Sequence, residues 1–244
     1  MSSAPKIVVL GDANEIAVTA AKEFIYLAKT AIEAHAFFAV ALSGGSTPKH
    51  LYEMLANDSS VPWGKIHVFW SDERHVLPED PQSNFRMAEE AMLARVKIPS
   101  SNIHRVPTEE KDPAVVAKLY EEDLRTFFKG TPRFDLVLLG LGPDGHTASL
   151  FPGTKALHEK DRLVVSNWVG KFCTYRITMT ANVINEASCI TFLVAGEDKS
   201  LAVKAVLEGP REPQQLPAQL IRPKDGKLLW LIDRPAARLL EKVT

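Results

Sequence analysis

Asp144-Gly145-His146 pairs a carboxylate and an imidazole two residues apart, a pattern able to move protons. The carboxylate can orient the ring and raise its basicity, and an imidazole near neutrality takes a proton from water and later returns one to a leaving group. The same three residues also fit a turn with a capping aspartate and a surface histidine. Ser43-Gly44-Gly45-Ser46-Thr47, just before Pro48, is open to two readings as well. It is either a phosphate cradle, with close-approaching backbone, hydroxyls and helix-start amides, or a tight strand-to-helix turn capped by Thr47. In Ser71-Asp72-Glu73-Arg74 the arginine can hold a phosphate or a developing oxyanion, or simply join a solvated ion-pair cluster. Arg176 and Lys199 become anion ligands only if folding brings them to a shared pocket.

Several chemistries lack their residues. Gly140-Leu-Gly142-Pro-Asp-Gly145 matches the G-x-G-x-x-G spelling of a dinucleotide loop, but Asp144 would face the pyrophosphate with a negative charge. Glu159 and Asp161, the acids nearest the ribose-binding position, precede the next strand rather than end it. There is no Gly-Lys-Ser/Thr ending of a nucleotide-phosphate loop, no Gly-x-Ser-x-Gly elbow and no cysteine in a recognisable nucleophile motif. His35, His50, His67, His75, His104, His146 and His158 form no His-Glu-x-x-His pair, so neither a metal nor another cofactor is expected. Cys173 and Cys189 read as two buried free thiols.

The elements that must position these groups follow from periodicity. Lys6–Leu10, Phe37–Leu42, His67–Trp70, Phe134–Leu139, Leu163–Val165, Cys189–Val194 and Leu228–Ile232 are short apolar runs, several apolar at nearly every position, as strands covered on both faces require. Between them, Asp12 caps a helix with Ile16, Ala20, Phe24, Leu27 and Ala31 on one face. Thr47-Pro48 predicts a cap and first turn leading through Leu51 and Leu55. Further helices fit Asn84–Arg95, Pro113–Phe128 and Asp198–Leu207. Alternation of this kind predicts an α/β fold with a Rossmann-like, doubly wound, mostly parallel sheet and helices on both faces. In such a sheet ligands bind beyond the carboxyl ends of the strands, where three of the motifs fall: Ser43–Thr47, Asp72–Arg74 and Asp144–His146. The Leu77–Ser83 and Glu208–Pro217 segments read as long loops able to cover that rim.

The 244 residues suit one domain over 1–244, with no repeat or evident linker. Twenty-nine basic residues face thirty acidic ones, which provides no global footprint for nucleic acid or an anionic membrane. No run approaches the roughly 18 apolar residues needed to span a bilayer, and neither terminus carries a targeting pattern. A cytoplasmic protein, with a monomer favoured, is the expectation.

Taken in order, Ser43–Pro48, Phe69-Trp-Ser-Asp-Glu-Arg74, Ser83-Asn84, the run from Phe134 to Pro152, Arg176–Thr180 and Gly196–Lys199 resemble the 6-phosphogluconolactonase family over nearly the whole chain. That resemblance implies the fold shared with sugar-phosphate isomerases and deaminases. It also implies hydrolysis of 6-phosphoglucono-δ-lactone to 6-phosphogluconate in the oxidative pentose phosphate pathway. It places His146 as catalytic base with Asp144 beside it and Arg74 as the basic residue of its motif. The Ser43–Thr47 loop, Asp72, Arg176 and Lys199 fall where the substrate and its phosphate bind. A glucosamine-6-phosphate deaminase on the same fold, or a sugar-phosphate sensor without turnover, would share part of this pattern. The deaminases, however, continue the histidine motif differently from Thr147-Ala-Ser-Leu-Phe-Pro152 and favour tyrosine where Arg74 stands.

Overall fold

The computed structural model describes residues 4–241; residues 1–3 and 242–244, on which the reading of the termini partly rests, lie outside the described residues. In chain order the elements are β1 (Lys6–Leu10), α1 (Ala13–His35), β2 (Phe38–Leu42), α2 (Ser46–Ala56), β3 (Ile66–Trp70), β4 (Asp72–Arg74), α3 (Asn84–Ala91) and α4 (Pro113–Phe128). They continue with β5 (Leu136–Leu139), β6 (Val164–Val169), β7 (Thr174–Met179), α5 (Ala181–Ile184), β8 (Cys189–Val194), α6 (Ser200–Glu208), β9 (Lys227–Asp233) and α7 (Arg234–Ala237).

Six strands form a parallel sheet in the order β1-β9-β8-β5-β2-β3, with the helices packed around it. The inner strands β2, β5 and β8 are buried at every residue, which accounts for their unbroken apolar runs. Phe192 of β8 and Trp230 of β9 are register partners, and their rings stack 3.8 Å apart. From β2 the chain winds one way to β3, whereas from β5 it winds the other way through β8 to β9. The winding therefore reverses between β2 and β5, and a crevice opens beyond their carboxyl ends. Ser43–Gly45 follows one of these strands and the Gly140 segment follows the other.

Three expectations need correction. Leu163–Val165 is not a strand of the parallel sheet. It overlaps β6, which joins β7 and β4 in a separate antiparallel sheet ordered β4-β7-β6. Those strands bury Asn167, Arg176 and Thr178 along with Val164, Ile177 and Met179 while exposing Trp168 and Tyr175, a mixed polarity that hides their alternation. Thr47 does not cap α2. The cap position is Gly45 with φ 114°, a left-handed value that glycine adopts freely, so the chain turns into the helix two residues earlier. Pro48 is still tolerated because first-turn amides have no partner inside the helix. Cys173 is exposed rather than buried, at a left-handed position (φ 48°) ending the β6–β7 turn.

Other helix limits shift by a few residues. Asp12 caps α1 through Glu15 N at 2.9 Å, and Asp112 caps α4 through Ala114 N at 2.8 Å. The Asn84 helix ends at Ala91, and a 3₁₀ turn covers Leu93–Arg95. No described helix is long and apolar enough to cross a membrane.

Cys189 lies inside β8, where burial pushes its thiol up to about 12, whereas Cys173 faces solvent. A thiol reagent applied to the folded protein at neutral pH is expected to label Cys173 rapidly and to reach Cys189 only after denaturation. Mass spectrometry of the labelled peptides checks this, and equal labelling of both would contradict the burial of β8.

Candidate active site

The crevice between β2 and β5 is a pocket of about 340 Å³. Its lining includes Ser43, Gly44, Gly45, Asp72, Arg74, His146, Arg176 and Lys199, together with Asn84, Ser149, Phe151 and Phe172. Ser46 and Thr47 are not among the lining residues, because the chain has already entered α2 at Ser46.

His146 sits in a tight turn after β5. Gly142 N donates to His146 O at 2.8 Å, and Gly145 N donates to Gly142 O at 3.0 Å. The ring folds back over the turn, so that a Cβ on Gly142 would lie 2.0 Å from His146 Nδ1. Phe151 stacks on the imidazole with centroids 4.0 Å apart. Asp144 Oδ1 accepts from the ring nitrogen Nδ1 and from His146 N, and Lys171 Nζ donates to Oδ2 at 3.3 Å. These contacts, the imidazole hydrogen bond above all, hold the Asp144 carboxyl far below the usual carboxylate range. An anionic acceptor on Nδ1 selects the tautomer with the proton there, leaving the Nε2 lone pair available. The Glu208–Pro217 segment supports this turn from outside: Ala218 N, just beyond it, donates to Gly145 O at 2.9 Å, and Gly153 N donates to Gln214 O at 3.2 Å.

β4 sorts the Asp-Glu-Arg motif by strand alternation. Asp72 and Arg74 line the pocket. Glu73 is buried and accepts from the amides of Arg74, Asn84 and Phe85, each at 2.7 Å, which anchors the start of α3. Ser149 Oγ donates to Asp72 Oδ2 at 2.6 Å, and Asn84 Nδ2 donates to Asp72 O at 2.9 Å. Arg74 Nη1 donates to Gln82 O, so the Leu77–Ser83 segment also reaches the rim. Antiparallel register places Arg74 directly opposite Arg176. Arg176 is 8% exposed, its Nε has no partner, and among the described residues no carboxylate hydrogen-bonds to it. Burial and the neighbouring Arg74 push its pKa down. Lys199, in the turn before α6, pairs with its neighbour Asp198 at 2.8 Å and with no other acid among the described residues. Among the described residues no three His, Cys, Asp or Glu side chains are grouped so as to hold a metal ion.

A family model described as glucosamine-6-phosphate isomerases/6-phosphogluconolactonase matches residues 11–230. The chain belongs to this family. Curated relatives include a 6-phosphogluconolactonase of Nostoc sp., 50% identical over 85% of this chain and 86% of the relative. The 6-phosphogluconolactonase of Haemophilus influenzae is 36% identical over 90% of this chain and 93% of the relative. Among solved structures, a 6-phosphogluconolactonase from Trypanosoma cruzi superposes with TM-score 0.88 at 28% identity, covering 98% of each chain. One from Thermotoga maritima superposes with TM-score 0.83 at 33% identity, covering 94% of this chain and all of that one.

The family motifs named most of the pocket, but Ser149, Phe151 and Phe172 had no assigned role, nor had Lys171, which lies outside the lining. Ser149 and Phe151 lie just past His146 in the same motif, where close sequence spacing was an available signal. Lys171 is 27 residues from Asp144 and meets it only through the β6–β7 turn, so no local spacing could have found it.

Gly142→Ala is expected to displace the His146 ring or strain the turn, at a cost of about 1–3 kcal/mol. Chemical denaturation and the imidazole NMR signals check it, and an unmoved ring with full stability would contradict the packing. Asp144 has a folded pKa below its unfolded value near ~3.9, so its contribution is present above that value and lost as pH falls through the folded one. The stability gap between wild type and Asp144→Asn should therefore be full at neutral pH and shrink below about pH 4. Thermal melts from neutral to acid pH measure it; a gap constant across that range would rule the charge out as its origin.

Proposed function

We propose that the chain hydrolyses 6-phosphoglucono-δ-lactone to 6-phosphogluconate, the lactone step of the oxidative pentose phosphate pathway, with His146 as general base. The observation that carries this reading is one pocket holding both an Asp144-oriented imidazole and the buried Arg176 guanidinium, to which no carboxylate hydrogen-bonds among the described residues. The names of the relatives support the choice of substrate.

In this scheme His146 Nε2 takes a proton from water as the oxygen attacks the lactone carbonyl carbon. Arg74 stabilises the oxyanion that forms. The tetrahedral intermediate collapses by breaking the bond from that carbon to the ring oxygen. The imidazolium returns its proton to the ring oxygen, and the new carboxylic acid ionises to solvent. Asp144 stays ionised throughout and balances the transient imidazolium. Arg176 and Lys199 hold the phosphate, whose dianion relieves the burial of Arg176, and so orient the lactone from a distance. Asp72, fixed by Ser149, accepts from a sugar hydroxyl. The Ser43–Gly45 turn closes the wall beside it.

The test is lactone consumption on freshly generated substrate with the spontaneous rate subtracted. Wild type should accelerate it, and His146→Ala should lower kcat by about 10²–10⁴-fold, the usual worth of general-base catalysis. Arg176→Ala and Lys199→Ala should raise KM more than they lower kcat. A folded His146→Ala protein with near-normal turnover would sink the mechanism. Ammonia released from glucosamine 6-phosphate would favour a deaminase, and tight binding without turnover a sensor.

A further inference from the structure

The turn joining β6 to β7, Gly170–Phe172 followed by Cys173, reaches back over the segment that carries His146. Lys171 Nζ lies 3.3 Å from Asp144 Oδ2, while the other oxygen of the same carboxylate holds His146 Nδ1. Phe172 lines the pocket and meets the edge of Phe151 at 5.8 Å, and Phe151 in turn stacks on His146. The Lys171 ammonium lies 5.5 Å from the centre of the Phe172 ring, and the Arg176 guanidinium lies 5.4 Å from it. Lys171 itself is not among the residues lining the pocket. Its charge is directed at the carboxylate behind the histidine.

We propose that Lys171 is a positioning residue for the base: by holding Asp144 Oδ2 it reserves Oδ1 for the Nδ1–H of His146 and locks carboxylate and ring in one orientation. A carboxylate held at one oxygen alone can rotate and exchange its oxygens; one held at both cannot. Removing Lys171 therefore loosens the base. The kinetic part of this proposal rests on the lactonase reading, whereas the carboxylate clamp does not.

Lys171→Met keeps an unbranched side chain of similar length and removes the charge; Lys171→Arg keeps the charge. Lys171→Met is expected to lower kcat by about threefold to fivefold, the reach of a half-exposed ion pair, with KM held within about twofold. Lys171→Arg should restore kcat. In an Asp144→Asn background the Lys171→Met change should have no further effect. A raised KM with unchanged kcat would instead make Lys171 a phosphate ligand and overturn the proposal. So would an equal loss in the Asp144→Asn background. Independently of turnover, the Asp144 carboxyl carbon, followed by NMR, should titrate at higher pH in Lys171→Met than in wild type. If the wild-type protein leaves the lactone untouched, the functional reading fails and this titration alone judges the clamp; an unmoved midpoint overturns it.

Discussion

The two sheets of this protein are joined at Ser71, and the geometry of the pocket depends on that joint. The chain leaves the parallel sheet at Trp70 and enters the antiparallel one at Asp72, with a single residue between them. Ser71 N and Oγ both donate to Leu42 O, at 2.8 and 3.0 Å, and Ser71 O accepts from Met179 N at 2.9 Å. One residue thus ties the end of β2 to the end of β7. Because the tie lies beside the β2–β5 crevice, the first residues of β4 project over the strand ends rather than away from them. Asp72 and Arg74 reach the site for that reason, and Arg176 follows because register sets it opposite Arg74.

Charge at the site is sorted with equal economy. Glu73 points away from the pocket and spends its four short contacts, three amides and the Ser83 hydroxyl, on the start of α3. Its oxygens are committed there, so it acts on Arg176 only through space, as Asp72 does, with no hydrogen bond to it. Like charges directly opposite one another on neighbouring strands repel, and burying one of them adds to the cost. A sequence selected for stability alone would place an acid or an apolar residue at one of the two positions. The pairing is understandable if bound substrate brings negative charge to each guanidinium, the phosphate at Arg176 and the developing oxyanion at Arg74, since that offsets both penalties.

Most of the parallel sheet was legible because its strands are buried on both faces and read as unbroken apolar runs. The antiparallel sheet was not. Arg176 and Asn167 point inward and Trp168 and Tyr175 outward, alongside buried Val164, Ile177 and Met179, so polar and apolar residues do not sort cleanly by burial there. A strand of three residues such as β4, made wholly of charged side chains, has no periodicity to detect. The site was partly legible through its motifs, which place His146, Asp144 and Arg74 on one rim. The α2 cap was misplaced because Thr47-Pro48 is a strong local signal, yet Gly45 two residues earlier offered a backbone turn that needs no side-chain oxygen. Tertiary contacts such as Lys171 with Asp144 leave no local trace at all.

The glycine spelling after β5 shows how one pattern of small residues can serve a different chemistry. In a dinucleotide loop the missing side chains admit a pyrophosphate, and a helix begins immediately so that its amides face the phosphate. Here no helix follows; the next helical turn is the short 3₁₀ stretch Lys155–His158. The space above Gly142 is already taken by the His146 ring, with Nδ1 and Cε1 at 2.0 and 2.1 Å from where a Cβ would stand. Asp144 Oδ1, which would repel a phosphate, lies 2.8 Å from the same point. The glycines clear room for an imidazole and its carboxylate to fold back on their own turn. The identity of the neighbour, a protein side chain rather than a cofactor, decides what the motif is for.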